Sequence, residues 1–351
     1  MKTFTLLPCL LGMLAAQDPP KLQDAEPTIR HTTTFVLAPV TVTDRKGEFM
    51  PGLTPYDFKL YDNGKPQKIT EDVAQHPVSM VVAIQANADV EKILPSIKRL
   101  SGVFESLVLG DDGEMAVIAF DHRVQNLTGF TSDPAQIDKA FQKLAVGSYS
   151  AALNNATLAG INLLKTRPTT RRRILVQIAE NRDKGSDINV REVLTEADFQ
   201  NVYIYAIDIS QLLSALTSKA QPNRPNTLPP GADGTMIMGN VNTPTTQSQA
   251  DLGNWVPALK DIFLAAKGVF VADPLDVYTR YTGGRQFSFK SQKTLERDVA
   301  QLGDELHSQY LLTYNPDNQD EGGFHHIVVE VLKPNLKVRT RDGYWLASKP
   351  Q

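Results

Sequence analysis

Apolar residues follow two periodicities in this chain, and the switch between them divides it. From Phe35 to Thr43, Val36, Ala38, Val40 and Val42 alternate with Leu37, Pro39, Thr41 and Thr43. That is the period of a half-buried strand, and Pro39 predicts an edge position. Leu53–Phe58 reads as a compact loop or single helical turn. Phe58–Tyr61 and Gln67–Thr70 are short strands joined by Asp62-Asn63-Gly64, a hairpin signal because Asn and Gly accept positive φ. From Val78 onward, short β-branched runs alternate with helical spacing, the mark of a mainly parallel sheet with crossover helices. The strands are Val78–Ile84, Met115–Phe120, Ile174–Ala179 and Val202–Ile207, with an antiparallel partner at Val124–Phe130 and a short strand at Arg285–Phe289. Helices are predicted over Val90–Leu107, from Asp133-Pro134, and over Ala151–Leu164, Val190–Phe199, Trp255–Ala266 and Thr294–Leu306. Strands return at Tyr310–Tyr314, His326–Val331, Leu336–Thr340 and Tyr344-Trp345.

This pattern predicts an α/β fold, a doubly wound, mainly parallel sheet of Rossmann type over residues 76–309. The strands of 34–75 and 310–346 are each a thin sheet alone, since small isolated sheets are marginal. They are expected to pack together as a second, small all-β domain. Residues 218–250 are rich in Pro, Gly, Asn, Thr and Gln and read as a long flexible insertion.

Residues 1–16 have the build of a signal peptide: Lys2, an apolar stretch from Phe4 to Ala16, and small residues at Ala15-Ala16. Residues 17–33 read as a disordered leader. The single Cys9 lies inside the signal segment, and Leu7-Pro8 before it is a poor lipid-attachment match. Removal of that segment leaves no cysteine for disulfides or nucleophilic work, so core burial must stabilise the mature chain. An exported protein, periplasmic or secreted and without a later membrane span, is the expectation.

The formal net charge of −3 excludes the basic footprint of a nucleic-acid binder. Arg171-Arg172-Arg173 reads as a solvated start to a strand. The six histidines, His31, His76, His122, His307, His325 and His326, lack metal-ligand spacing, and no Gly-Lys-Ser phosphate loop occurs. Asp121 and Asp208 each follow an apolar strand, where a carboxylate pair for acid–base chemistry is one reading and turn or helix capping the other.

The run Val78-Ser-Met-Val-Val-Ala-Ile-Gln85 leads into Ala86-Asn87-Ala88-Asp89. Loops at the carboxyl ends of parallel strands are where open α/β sheets hold ligands. Gln85, Asn87 and Asp89 recur at every second position and can point oxygens at one spot. A strong divalent-cation site wants a carboxylate at the head of that row; here the head is an amide.

Several short motifs resemble one family in order. They are Val40-Thr-Val-Thr-Asp44-Arg-Lys-Gly47, Gly52-Leu-Thr-Pro-Tyr-Asp57-Phe58, Asp62-Asn-Gly64-Lys-Pro66-Gln67, Tyr281-Thr-Gly-Gly-Arg285, Ser308-Gln-Tyr310 with Tyr314-Asn-Pro316, and Arg341-Asp-Gly343-Tyr344. With the strand–loop–helix around Met80–Ile84 and the strand Ile174–Ala179 ending at Glu180, they are similar to the von Willebrand factor A-related exported proteins of acidobacteria. The likeness runs from about residue 34 to 346.

That resemblance implies a site in which an Asp-x-Ser-x-Ser loop, a Thr and a later Asp hold a divalent cation that bridges to a partner's acidic side chain. Carried across, the positions fall at Gln85, Asn87, Asp89, Ala151 (with Ser150 one residue away) and Glu180, and none keeps its usual residue type. The expectation is a degenerate site with no cofactor, its amides and carboxylates satisfying one another; weak Mg²⁺ or Ca²⁺ binding is the alternative. The functional expectation is a non-catalytic, adhesion-like module that holds another protein. A cation-dependent hydrolase using strand-end carboxylates and a structural envelope protein are the alternatives.

Overall fold

The structure, a computed structural model, describes residues 36–72, 77–108, 112–217, 255–264, 271–288 and 292–346. The strands in chain order are β1 (Val36–Thr43), β2 (Phe58–Asp62), β3 (Lys65–Gln67), β4 (Ile69–Asp72), β5 (Val78–Gln85), β6 (Glu114–Phe120), β7 (Val124–Thr131), β8 (Arg172–Ala179), β9 (Val202–Asp208), β10 (Gln286–Ser288), β11 (Tyr310–Tyr314), β12 (Gly323–Val331), β13 (Lys337–Arg339) and β14 (Gly343–Leu346). The helices are α1 (Leu94–Lys98), α2 (Ser101–Val108), α3 (Pro134–Gln142), α4 (Leu153–Lys165), α5 (Val190–Phe199), α6 (Ser210–Thr217), α7 (Trp255–Leu264), α8 (Pro274–Thr282) and α9 (Gln292–Ser308).

The central sheet has six strands in the order β10-β9-β8-β5-β6-β7. All neighbours are parallel except β6 and β7. Its inner strands β5, β6, β8 and β9 are buried on both faces, which is why they read as continuous apolar runs. Alternation still sorts the side chains. Met80, Val82 and Ile84 pack with α1, α2, α3, α6 and α9 on one face. Val81 and Ala83 pack with α4, α5, α7 and α8 on the other. Helices thus cover both faces, the doubly wound arrangement the pattern predicts.

Strands from the two ends of the sequence form two further four-stranded sheets, β13-β1-β11-β4 and β14-β12-β2-β3. They share one core of Val36, Ala38, Val40, Leu60, Leu312, Tyr314, Ile327 and Tyr344. The Asn63-Gly64 turn joins β2 to β3 with φ of 49° and 78°, as the dipeptide requires. This β-sandwich and the central sheet belong to one unit.

Several local expectations need correction. The predicted helix Val90–Leu107 is a single 3₁₀ turn at Ala88–Val90 followed by α1 and α2. Pro95 sits in the first turn of α1, where its missing N–H cannot extend a preceding helix. Strand β1 is an edge only locally: Val36–Val40 pair with β11 and Thr41–Thr43 with β13. Pro39 lies in the half paired on one side. Arg172 and Arg173 are buried rather than solvated, 6% and 7% exposed. Their guanidinium groups donate to the carbonyls of Leu306 and Gln200. Helix α8 was not predicted, although Asp273-Pro274 repeats the Asp133-Pro134 signal that opens α3; in both, the Asp caps and the Pro begins the helix.

The predicted signal peptide 1–16, leader 17–33 and insertion 218–250 lie outside the described residues. Among the described residues no helix is long and apolar enough to cross a membrane.

Candidate functional site

The strand order reverses between β5 and β8. The chain leaves β5 toward β6 on one side and reaches β8 on the other. Helices α1 and α2 after β5 cover one face, and α5 after β8 covers the opposite face. The divergence opens a crevice at the carboxyl ends of these two strands, the usual ligand position in such sheets. Gln85 ends β5, Glu180 follows β8, and residues 145–152 close the crevice from the side of α4.

The structure brings all five sequence-predicted positions together. Gln85 Nε2 donates to Asn87 Oδ1 and to Glu180 Oε2, each at 2.8 Å. The Glu180 backbone N–H donates to Gln85 Oε1 at 2.8 Å. Asn87 Nδ2 donates to Asp89 Oδ2 at 3.2 Å and to the Tyr149 carbonyl at 3.1 Å. The Ala151 carbonyl accepts the Lys184 N–H at 2.9 Å, and the Ser150 hydroxyl donates to the Lys184 carbonyl.

Lys184, which sequence reasoning missed, completes the cluster. Its Nζ lies 2.8 Å from Asp89 Oδ2 and 3.1 Å from Glu180 Oε2. The hydrogen bond from Lys184 holds the Asp89 carboxyl below its ordinary range, and Asn87 adds to that. Burial pulls the Lys184 ammonium down, but its bonds to Asp89 and Glu180 outweigh this and hold it above its ordinary value. The sequence offered two basic residues in this loop, Arg182 and Lys184, and no spacing rule says which side chain folds back.

These residues do not fit a hard divalent cation, which needs about six oxygen ligands. The two carboxylate oxygens facing the crevice receive nitrogens instead: Gln85 Nε2 and Lys184 Nζ on Glu180, and Asn87 Nδ2 and Lys184 Nζ on Asp89. Among the described residues no three His, Cys, Asp or Glu side chains are grouped to hold a metal ion.

Asp121 and Asp208 do not form a carboxylate pair. Strands β5 and β8 separate theirs, so at about 4.8 Å per strand they stand roughly 14 Å apart. Asp121 accepts the N–H groups of Arg123 and Ser148, both at 2.8 Å. Burial opposes its ionisation, but these donors hold it at about 2. Ser148 Oγ and His122 Nδ1 lie 2.7 Å apart. The same ring nitrogen also faces Asp121 at 3.2 Å, so no base–orienter relay of the Ser-His-Asp kind is formed. Asp208 accepts the Ser210 N–H at 2.8 Å. Its carboxylate neighbour is Asp273, through Gln286 Nε2 at 3.4 and 3.3 Å. Burial raises the Asp273 pKa.

Beside the Lys184 cluster lies an open groove of about 860 Å³, walled by Ala88, Asp89, Glu91 and Lys92, by Glu180, Asn181, Arg182 and Lys184, and by Ser210, Gln211, Leu213 and Ser214 of α6. Outside the groove lining, Tyr149 is 85% exposed and Val146 is 43% exposed, although the Tyr149 carbonyl is anchored by Asn87.

No family model matches the chain, and no curated protein does. Among solved structures it is similar to a von Willebrand factor type A protein from Catenulispora acidiphila, 9% identical over 90% of this chain and 63% of that one, with a TM-score of 0.44. It is similar to the conserved hypothetical protein BatB from Bacteroides thetaiotaomicron, 11% identical over 65% of this chain and 98% of that one, TM-score 0.40. A third is the von Willebrand factor domain of the type V pilus tip protein Mfa5 from Porphyromonas gingivalis, 16% identical over 30% and 38% of the two chains, TM-score 0.26.

Proposed function

We propose that this chain is an exported, non-catalytic, von Willebrand factor A-like module that holds another protein through the loops at the carboxyl edge of its central sheet, with no metal ion between them. The motif order in the sequence supports the family reading. The crevice at the point of strand-order reversal supports the location of the site.

One observation carries the proposal. The Tyr149 side chain stands in solvent on a backbone that Asn87 fixes to the loop after β5. A tyrosine ring can bury a large apolar area on binding while only two side-chain torsions are ordered, which is one reason Tyr is enriched at interface hot spots. The open groove beside the Lys184 cluster, lined mostly by polar residues, suits a protein surface better than a small reactive substrate.

A photo-crosslinking residue placed at Tyr149, and separately at Thr169 in the exposed turn at the opposite edge of the sheet, tests the proposal in the producing cells. A single discrete adduct from position 149 and none from 169 is expected. Equal labelling from both positions refutes it. Turnover of a hydrolysable substrate that disappears in Asp273→Asn supports the hydrolase reading instead.

A further inference from the structure

We infer that the ammonium of Lys184 is a tethered counter-ion that closes this face of the molecule, standing where the sequence resemblance places a divalent cation. The inference deepens the proposed function, resting on it only for the role of the face, and it concerns how that face is ordered and regulated.

Two carboxylates from different loops meet at one point. Asp89 comes from the loop after β5 and Glu180 from the end of β8. Without a cation between them they repel, and, Lys184 aside, among the described residues no side chain except Gln85 bonds β5 and its loop to Glu180. Lys184 Nζ reaches both, at 2.8 and 3.1 Å. The residue is also fixed at its backbone to a third loop. Its N–H donates to the Ala151 carbonyl at 2.9 Å, its carbonyl accepts the Ser150 hydroxyl, and Ala151 and Lys184 form an isolated bridge.

The next residue shows that the loop is shaped for this. Gly185 has φ of 138°, and a Cβ there would run into the Ser150 hydroxyl. Only glycine lets the chain pass Ser150 this closely while turning in a region that L side chains rarely adopt. Side chain and backbone of Lys184 therefore join three loops, the count that an ion with ligands from those loops would join. The amide nitrogens of Gln85 and Asn87 supply the remaining positive ends toward the same carboxylates.

The consequence is a face whose order does not depend on Mg²⁺ or Ca²⁺ but weakens with monovalent salt, because the pair is partly exposed and therefore screened. Hydrogen exchange on the whole protein, read for segments 84–92 and 180–188, tests this. In the unaltered protein, EDTA, MgCl₂ and CaCl₂ at matched ionic strength should give superimposable exchange. In Lys184→Met both segments should exchange about two- to fivefold faster, while β6 in the sheet interior keeps its protection. Lys184→Arg should recover most of the loss. Asp89→Asn, a half-exposed site with little bearing on folding, should loosen 180–188 in the same direction. Divalent-specific protection in the unaltered protein, or a Lys184→Met variant that exchanges like it, overturns the inference. A failed crosslink at Tyr149 alongside the expected exchange pattern removes the proposed function and leaves this inference standing.

Discussion

The guanidinium of Arg341, on the turn into β14, donates to the carboxylate of Asp198, near the end of α5, at 2.6 Å. The two side chains are 4% and 16% exposed. The same carboxylate accepts the Tyr281 hydroxyl at 3.0 Å and the Trp345 N–H at 3.2 Å, and the Trp345 ring stacks on Phe263 with centroids 4.8 Å apart. Asp198 of helix α5 thus gathers two residues of the sandwich, Arg341 and Trp345, at one joint. Removing one member of a buried ion pair strands the other, at a cost of about 3–5 kcal/mol. We predict a loss of that size for Asp198→Ala in urea denaturation. Arg341→Lys should fail to retain the pair, since a lysine cannot also supply the geometry of the Nε bond to the Gly343 carbonyl. A change below about 1 kcal/mol for Asp198→Ala would show that the joint lies elsewhere.

Within the sandwich, Asp62 is fully buried and accepts from Tyr314 and Tyr344 at 2.8 and 2.7 Å and from Asn318 at 3.1 Å. His325 Nδ1 lies 2.7 Å away. Burial favours the neutral acid, but bonds from His325, Tyr344, Asn318 and Tyr314 win, and the folded pKa falls below 3.8. A depressed carboxylate contributes stability that is present above the unfolded pKa of about 3.9 and is lost as pH falls through the folded value. We predict a flat response around neutrality and a decline below about pH 4. Asp62→Asn should flatten that acid limb while lowering stability at pH 7. An unchanged acid limb in the variant would assign the decline to other carboxylates.

A third prediction concerns the Gly283-Gly284 pair. Gly283 caps α8 in the left-handed region at φ of 83°. Gly284 is outside the left-handed region, but a Cβ there would collide with the Ile204 carbonyl. The neighbouring Thr282 Oγ1 accepts the Ile204 N–H at 2.9 Å, so the turn is pressed onto β9. Gly284→Ala should cost about 1–3 kcal/mol through overpacking, measured as a lower thermal midpoint. A neutral substitution would mean that the turn can lift away from the sheet.

Lys184 gives the contrasting case. Its side chain and that of Asp89 are 37% and 43% exposed, so breaking their pair should lower global stability by less than about 1 kcal/mol. Denaturation of Lys184→Met should therefore barely differ from the unaltered protein in high salt. The Asp89 contribution is present above the unfolded carboxylate range and disappears as pH falls through its depressed folded value. A loss of several kcal/mol would place the pair in the core rather than at the rim.

The parts of the fold legible in the sequence were those written in short-range pattern. Met80–Ile84 and Ile174–Ala179 announce buried parallel strands by composition, Asp133-Pro134 opens a helix, and Asn63-Gly64 makes a hairpin. Glu180 joined the site only through the family resemblance, whereas Gln85, Asn87 and Asp89 were legible as a converging set by their every-second spacing at a strand end. Lys184 was not, since its contacts depend on a loop conformation that no periodicity encodes. Nor was the burial of Arg172 and Arg173, whose partners Leu306 and Gln200 arrive from elements far along the chain.

The pairing of β1 with β11 has a kinetic corollary. The ribosome makes every strand of the central sheet after one and before the other, so β1 emerges with an apolar face and without its partner strands. Contacts so distant in sequence close late and slowly. The growing chain must keep Val36 and Val40 from sticking to neighbours until β11 arrives.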